Sequence, residues 1–369
     1  KKNALKAGCK TYIQNTLNAF FGAITGKKIM PLMEEYYRLT SIRHSAYMAM
    51  PYGDTEFHSG EFGNELERFL YRYDLLKAQT ESIERMLPQN QKDGFFEVVK
   101  YPIFLAALVA EKELEAQEAR YISRPGLFNK DDEAKAAAAV SLDAYNKLKQ
   151  LNAYYSHIRN GKWKDFILTN GAEMQAPQIP GTLPAADIKR LKADAFDRSN
   201  DLKPLSVVTG DIIAKNAYEW SEATESPLAQ AAVRGAEKIT VRPLLGHSGK
   251  AVKLPKGASL SYDFYSDKSG DARFTIAVIP CFLNAVKDMR VSVSIDRGEP
   301  VICQLKEVYN SKDWQFDLWR GQTLKSFYVT LPGGSHNVTI KALDDNVMID
   351  QWVLDYDVDR EYYVFPVAK

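Results

Sequence analysis

The sequence predicts a multidomain, α-then-β chain: an antiparallel helical bundle followed by an antiparallel, jelly-roll-like β-sandwich. Between Phe62 and Ile158 apolar residues recur at three-four spacing, whereas from about Ser259 they alternate with polar ones. The first period buries one face of a helix and the second one face of a strand. A stretch carrying Pro177, Pro180, Gly181, Pro184 and Pro204 separates the two regimes and reads as an interdomain linker.

Each element has its own signal. Leu32 to Ser41 predicts a short helix containing Tyr36-Tyr37-Arg38-Leu39. Phe62, Leu66, Phe69, Leu70, Tyr73, Leu76, Ile83 and Leu87 mark one buried helix face. Phe95 to Ala119 predicts a second long helix, where Pro102 is tolerated only near the first turns or at a kink. Val140, Ala144, Leu148, Leu151, Tyr155 and Ile158 mark a third, entered through Asn129-Lys130-Asp131-Asp132 and ended by Gly161. In the β part the alternating sets are Leu260, Tyr262, Phe264; Phe274, Ile276, Val278; Val291, Val293, Ile295; Phe327, Val329, Leu331; and Val338, Ile340, Ala342. Asp296-Arg297-Gly298-Glu299 and Pro332-Gly333-Gly334 read as turns between strands.

Composition narrows the partners. A charged fraction of 26% with net charge +1 gives no electrostatic reason to expect nucleic acid or an anionic membrane surface. The longest uncharged apolar stretch, Tyr101 to Ala110, is too short to span a bilayer. Cys9, Cys281 and Cys303 form no C-x-x-C pair and the five histidines lack ligand spacing, so neither a zinc site nor any other cofactor is expected. Cys281 and Cys303 are expected as free buried thiols. The chain opens Lys1-Lys2-Asn3 without a Met, which reads as a processed or excised piece.

Catalytic constellations are weak. Asp344, Asp345, Asp350, Asp355, Asp357 and Asp359 crowd the last strands, and a solvated strand face outweighs a hydrolytic pair or a calcium site. Strict alternation would put Asp350 on one face with Trp352 and Leu354. No Gly-x-Ser-x-Gly elbow and no glycine-rich phosphate loop occurs. Trp314 and Trp319 fall in a segment read as a loop, with Gln315, Asp317 and Arg320 nearby, and are the candidate carbohydrate-binding residues. No residue is assigned a catalytic or metal-binding role.

Several stretches together resemble the C-terminal half of family 115 glycoside hydrolases, the xylan α-glucuronidases. They are Tyr36-Tyr37-Arg38-Leu39-Thr40-Ser41-Ile42-Arg43, Glu61-Phe62-Gly63-Asn64-Glu65, Gly94 to Pro102, Asn160-Gly161-Lys162-Trp163, Val278-Ile279-Pro280, Arg290 to Asp296, and Leu331 to His336. The resemblance implies a bacterial, xylan-degrading parent that removes glucuronic or 4-O-methylglucuronic acid side chains, secreted or periplasmic, with its catalytic carboxylates in an upstream barrel. It further implies that residues 1–30 are the remnant of the exit from that catalytic domain, 31–170 the helical bundle, 171–210 the linker and 211–369 the sandwich. The chain is then an accessory portion that braces the barrel, and the apolar set Leu17, Phe20, Phe21, Ile24 and Ile29 is expected to pair with a second copy in a homo-oligomer or to dock back onto that barrel. The alternatives are a carbohydrate-binding sandwich module, with polysaccharide as partner, and an intact hydrolase with an unrecognised acid pair.

Overall fold

Helices fill the first part of the chain and strands the second, in a computed structural model that describes residues 2–44, 65–124, 131–166, 174–182, 210–282 and 287–366. The chain divides into a helical unit (residues 1–40, 45–55 and 66–202) and a sandwich unit (residues 41–44, 56–65 and 203–369). Phe62, Asn129 and most of the expected linker at 171–210 lie outside the described residues.

The helices are α1 (Lys2–Phe21), α2 (Ala23–Ile42), α3 (Glu65–Met86), α4 (Gln89–Phe95), α5 (Tyr101–Ile122) and α6 (Asp131–Gly161). The apolar face read from Leu66 to Leu87 is buried, as are Ala144, Leu148, Tyr155 and Ile158 of α6. Helices α5 and α6 run antiparallel. Tyr101 Oη donates to Asn152 Oδ1 (3.0 Å), Ser141 Oγ to Lys112 O (2.6 Å), and Ala119 packs with Ala137 and Ala138. Partners fall along α6 as they rise along α5. Alanines at the contact let the two backbones approach closely.

Two departures from the sequence reading have local causes. The helix expected at Leu32 begins nine residues earlier, because α2 carries Pro31 inside it. The proline costs a backbone hydrogen bond, but Ile29, Leu32 and Met33 are buried on either side of it. The helix expected from Phe95 is broken by a π-helical turn, Phe96–Lys100, in which the Tyr101 N–H reaches back to Phe96 O. Pro102 then follows directly on the widened turn, at the start of α5, where a locally altered hydrogen-bond pattern accommodates its missing N–H. Leu17, Phe21 and Ile29 are buried, with Phe21 edge-on to Phe95 at 5.8 Å, while Tyr12, Phe20 and Ile24 are exposed. Part of the apolar set assigned to association is therefore used by this chain's own core. The boundary expected at residue 30 falls inside α2.

The sandwich unit contains β1 (Ile212–Asn216), β2 (Glu222–Thr224), the short α7 (Pro227–Gln230), β3 (Thr240–Pro243), β4 (Lys250–Leu254), β5 (Ser259–Ser266), β6 (Gly270–Val278), β7 (Arg290–Ile295), β8 (Val301–Gln304), α8 (Lys312–Arg320), β9 (Thr323–Leu331), β10 (Gly334–Ala342) and β11 (Val347–Asp355). One antiparallel sheet has the order β3-β4-β11-β6-β9, with β1 also paired to β11; the other has the order β2-β5-β10-β7-β8. Every residue of the five alternating sets lies in or against the core between the sheets. There Trp352 stacks on Phe274 at 5.5 Å and meets Tyr262 edge-on. Asp296 and Arg297 both have positive φ and Gly298 N–H donates to Ile295 O, a type I′ turn where the sequence predicts one.

Candidate functional site

The two candidate tryptophans sit on a helix, not in a loop. Ser311 Oγ accepts the Trp314 N–H at 3.1 Å as an N-cap, and Gly321, at φ 67°, closes the C-terminus of α8. Residues five apart on a helix point about 140° away from each other. Trp319 is 2% exposed, packed edge-on against Phe316 at 5.1 Å. A ring so enclosed has no face to offer a sugar, which removes Trp319 from the candidate site. Trp314, on the other side of α8, is half-buried.

Around Trp314 the chain assembles a small aromatic depression. Tyr309 lies 5.0 Å from it at 64° and Phe282 5.5 Å from it at 76°. Tyr309 is 72% exposed and Phe282 40%. Cys281, Lys287, Lys306, Glu307 and Val308 complete a cavity of about 260 Å³. The Glu307 carboxylate is engaged by the Lys325 ammonium. Tyr309 and Phe282 come from loops before α8 and after β6, so no periodicity joins them to Trp314 in the sequence. Cys281 and Cys303 are both free, and burial pushes the Cys303 thiol up.

The crowded acids separate into individual structural roles. Asp350 and Asp355 are fully buried, contrary to the solvated face expected of them. The register shifts between Ile349 and Gln351, and this bulge turns Asp350 away from the core that holds Trp352 and Leu354. Its carboxylate accepts the His247 N–H at 2.8 Å, with Ser248 and the Gln322 amide completing the shell. Burial pushes Asp350 upward against those hydrogen bonds. His247 donates through Nε2 to Arg320 O at 2.7 Å, and burial, with the nearby Arg320 charge, pushes it down to about 3. Asp355 is pushed by burial up to about 6, opposed by the Asp357 N–H and by Arg360 at 3.5 Å. Asp317, on the same helix as Trp319, accepts from the Thr323 hydroxyl and is pushed by burial up to about 8. Asp344 holds Arg290 at the surface, while Asp345, Asp357 and Asp359 are exposed. Among the described residues no group of three or more His, Cys, Asp or Glu is placed to hold a metal ion, and no helix is long and apolar enough to cross a membrane.

Residues 228–368 match the family model described as the Glycosyl hydrolase family 115 C-terminal domain. The family 115 resemblance holds. The whole chain also superposes on a solved family GH115 4-O-methyl-alpha-glucuronidase, BtGH115A, with specificity for decorated arabinogalactans. The TM-score is 0.71 at 23% identity, over 97% of this chain and 43% of that one. The likeness shows a shared fold, and the chain spans less than half of that structure's length. Two shorter solved structures match weakly: a family 35 carbohydrate binding module from Clostridium thermocellum (13% identity, TM-score 0.29, 38% of this chain and 97% of that one), and the C-terminal CBM6 of LamC, a laminarinase from Zobellia galactanivorans (18% identity, TM-score 0.27, 39% and 98%). No curated protein matches.

Proposed function

We propose that this chain is the accessory C-terminal portion of a family-115-type glycoside hydrolase that acts on glucuronic-acid-decorated plant polysaccharide of the glucuronoxylan type. The fold likeness over 97% of the chain to a 4-O-methyl-alpha-glucuronidase carries this reading, because it takes in the helices and the sandwich together. The catalytic acids of the parent then belong to an upstream barrel, with export to the periplasm or medium of a bacterium. The acids of the last strands fit the accessory role: Asp350 and Asp355 are spent on buried hydrogen bonds. The test is uronic acid release from glucuronoxylan by purified chain and by a longer form carrying the upstream region. Release is expected from the longer form alone. Turnover by the chain itself, lost on replacing its own Asp or Glu residues, would sink the accessory reading.

A second reading, a carbohydrate-contacting sandwich, is favoured by one observation: Trp314, Tyr309 and Phe282 share a solvent-facing depression. Aromatic rings with apolar faces and polar surroundings are the usual seats for sugar rings. Bracing and sugar contact are compatible, since the first concerns the parent's assembly and the second one end of the sandwich.

A further inference from the structure

We propose that a second copy of this chain adds to the free edge of β8, antiparallel and centred on Ile302, so that two five-stranded sheets run on as one. β8 ends its sheet, in the order β2-β5-β10-β7-β8. Just beyond it the Leu305 N–H donates to Met289 O at 2.7 Å, which fixes the phase of the pairing with β7. In an antiparallel pair alternate residues turn their backbone groups to the same neighbour. Val301 and Cys303 therefore serve β7, while Ile302 and Gln304 turn their N–H and C=O groups outward. Among the described residues nothing pairs with that outward row.

The other edges are guarded. β1 carries Lys215, β2 Glu222, β3 Arg242 with Pro243, and β9 Lys325, residue types that discourage strand addition. β8 reads Val301-Ile302-Cys303-Gln304, with no charge and no proline, and Ile302 is 61% exposed. Only another strand satisfies such an edge, because a helix face would leave its donors and acceptors unpaired.

The edge also fits itself. Two-fold pairing about Ile302 gives each Ile302 N–H the other copy's Ile302 C=O and sets Val301 of one copy opposite Cys303 of the other. No like charges meet in this register: Arg297 comes opposite Glu307, and Glu299 opposite Leu305. The exposed edge from Glu299 to Gln304, with Val308 beyond it, offers on the order of 500 Å² per copy, enough for a weak specific dimer.

Sedimentation of the purified chain, from about 1 µM to about 500 µM, should show dimerisation with a dissociation constant of about 10–100 µM. Ile302→Lys sets two ammonium groups face to face and should weaken association about tenfold. Its thermal midpoint at low concentration should hold, since the side chain lies outside the core. Val301→Cys should give a covalent dimer under mild oxidation, above the background of the unmutated chain, and adding Cys303→Ala should abolish it. A chain still monomeric at about 500 µM would overturn the proposal. Association that ignores Ile302→Lys would overturn it too, by placing the contact elsewhere. A Val301→Cys dimer that survives Cys303→Ala would overturn the register centred on Ile302.

Discussion

On one side of β11, Ile349, Trp352 and Leu354 lie in the apolar core between the sheets; on the other, Asp350 and Asp355 lie equally deep among hydrogen-bond donors and cations. The acids, which share their side with the buried Val353 and a small apolar cluster, are held by different physics from the core. The dry side depends on volume and contact area, which are non-directional and set by residues alternating along the same strand. The polar side depends on partners that must meet atom by atom, and those partners are distant in the chain: His247 and Ser248 before β4, Gln322 after α8, Arg360 near the C-terminus. Depth of burial is the same on both sides. What a substitution leaves behind is not: a void on one, orphaned donors on the other.

The largest effect should come from the dry side. Trp352→Ala removes a fully buried indole stacked on Phe274 and should cost about 3–5 kcal/mol in urea unfolding of the sandwich. A cost below about 1 kcal/mol would mean that this side is not close-packed. Next, Asp350→Ala strands the His247 N–H and the Gln322 amide, an expected loss of about 2–3 kcal/mol. Were that substitution neutral, the polar side would be padding and the contrast would collapse.

Gly246→Ala probes the same carboxylate from the backbone. Gly246 has φ 74° and an added Cβ would stand 2.2 Å from the Asp350 carboxyl group. About 1–2 kcal/mol is expected for the left-handed conformation alone, with a matching drop in thermal midpoint. Full stability in this variant would show that the loop can retreat from Asp350.

The last effect is one of pH. Burial lifts folded Asp317 from 3.8 to about 8, so the folded chain holds a proton there that the unfolded chain has released. Its contribution is fully present below about pH 4 and is lost as the pH climbs toward 8. Asp317→Asn should flatten this decline when denaturation midpoints are compared at pH 5 and pH 8. An unchanged slope would mean that the carboxylate is solvated in the folded chain.

The same contrast decides what the sequence made legible. Alternation of period two placed all fifteen residues of the five sets in or against one core, because each strand carries its own face. The face of Asp350 was misread because a bulge at Ile349 and Gln351 breaks that alternation, and no residue there announces it. α8 was legible but passed over: Ser311 and Gly321 are ordinary cap residues on either side of a nine-residue helix, and a helix there makes Trp314 and Trp319 point different ways. Tyr309 and Phe282 had no such signal, since only the folded chain brings them beside Trp314.

The π-helical turn at Phe96–Lys100 bears on how this chain can be cut and spliced. A turn closed by an i to i+5 hydrogen bond holds one residue more than its α-helical counterpart, and each helical residue turns the axis by about 100°. At its start two consecutive rings serve different neighbours, Phe95 against Phe21 and Phe96 against Tyr154 and Tyr155. Deleting a single residue at Val98 would convert that turn to an ordinary α-helical one and leave the far side, Tyr101 included, in nearly its present phase, because only the surplus is removed. For an engineer shortening these helices, residues 96–100 can lose one residue with little rotation, whereas a deletion inside α5 would turn everything beyond it by about 100°.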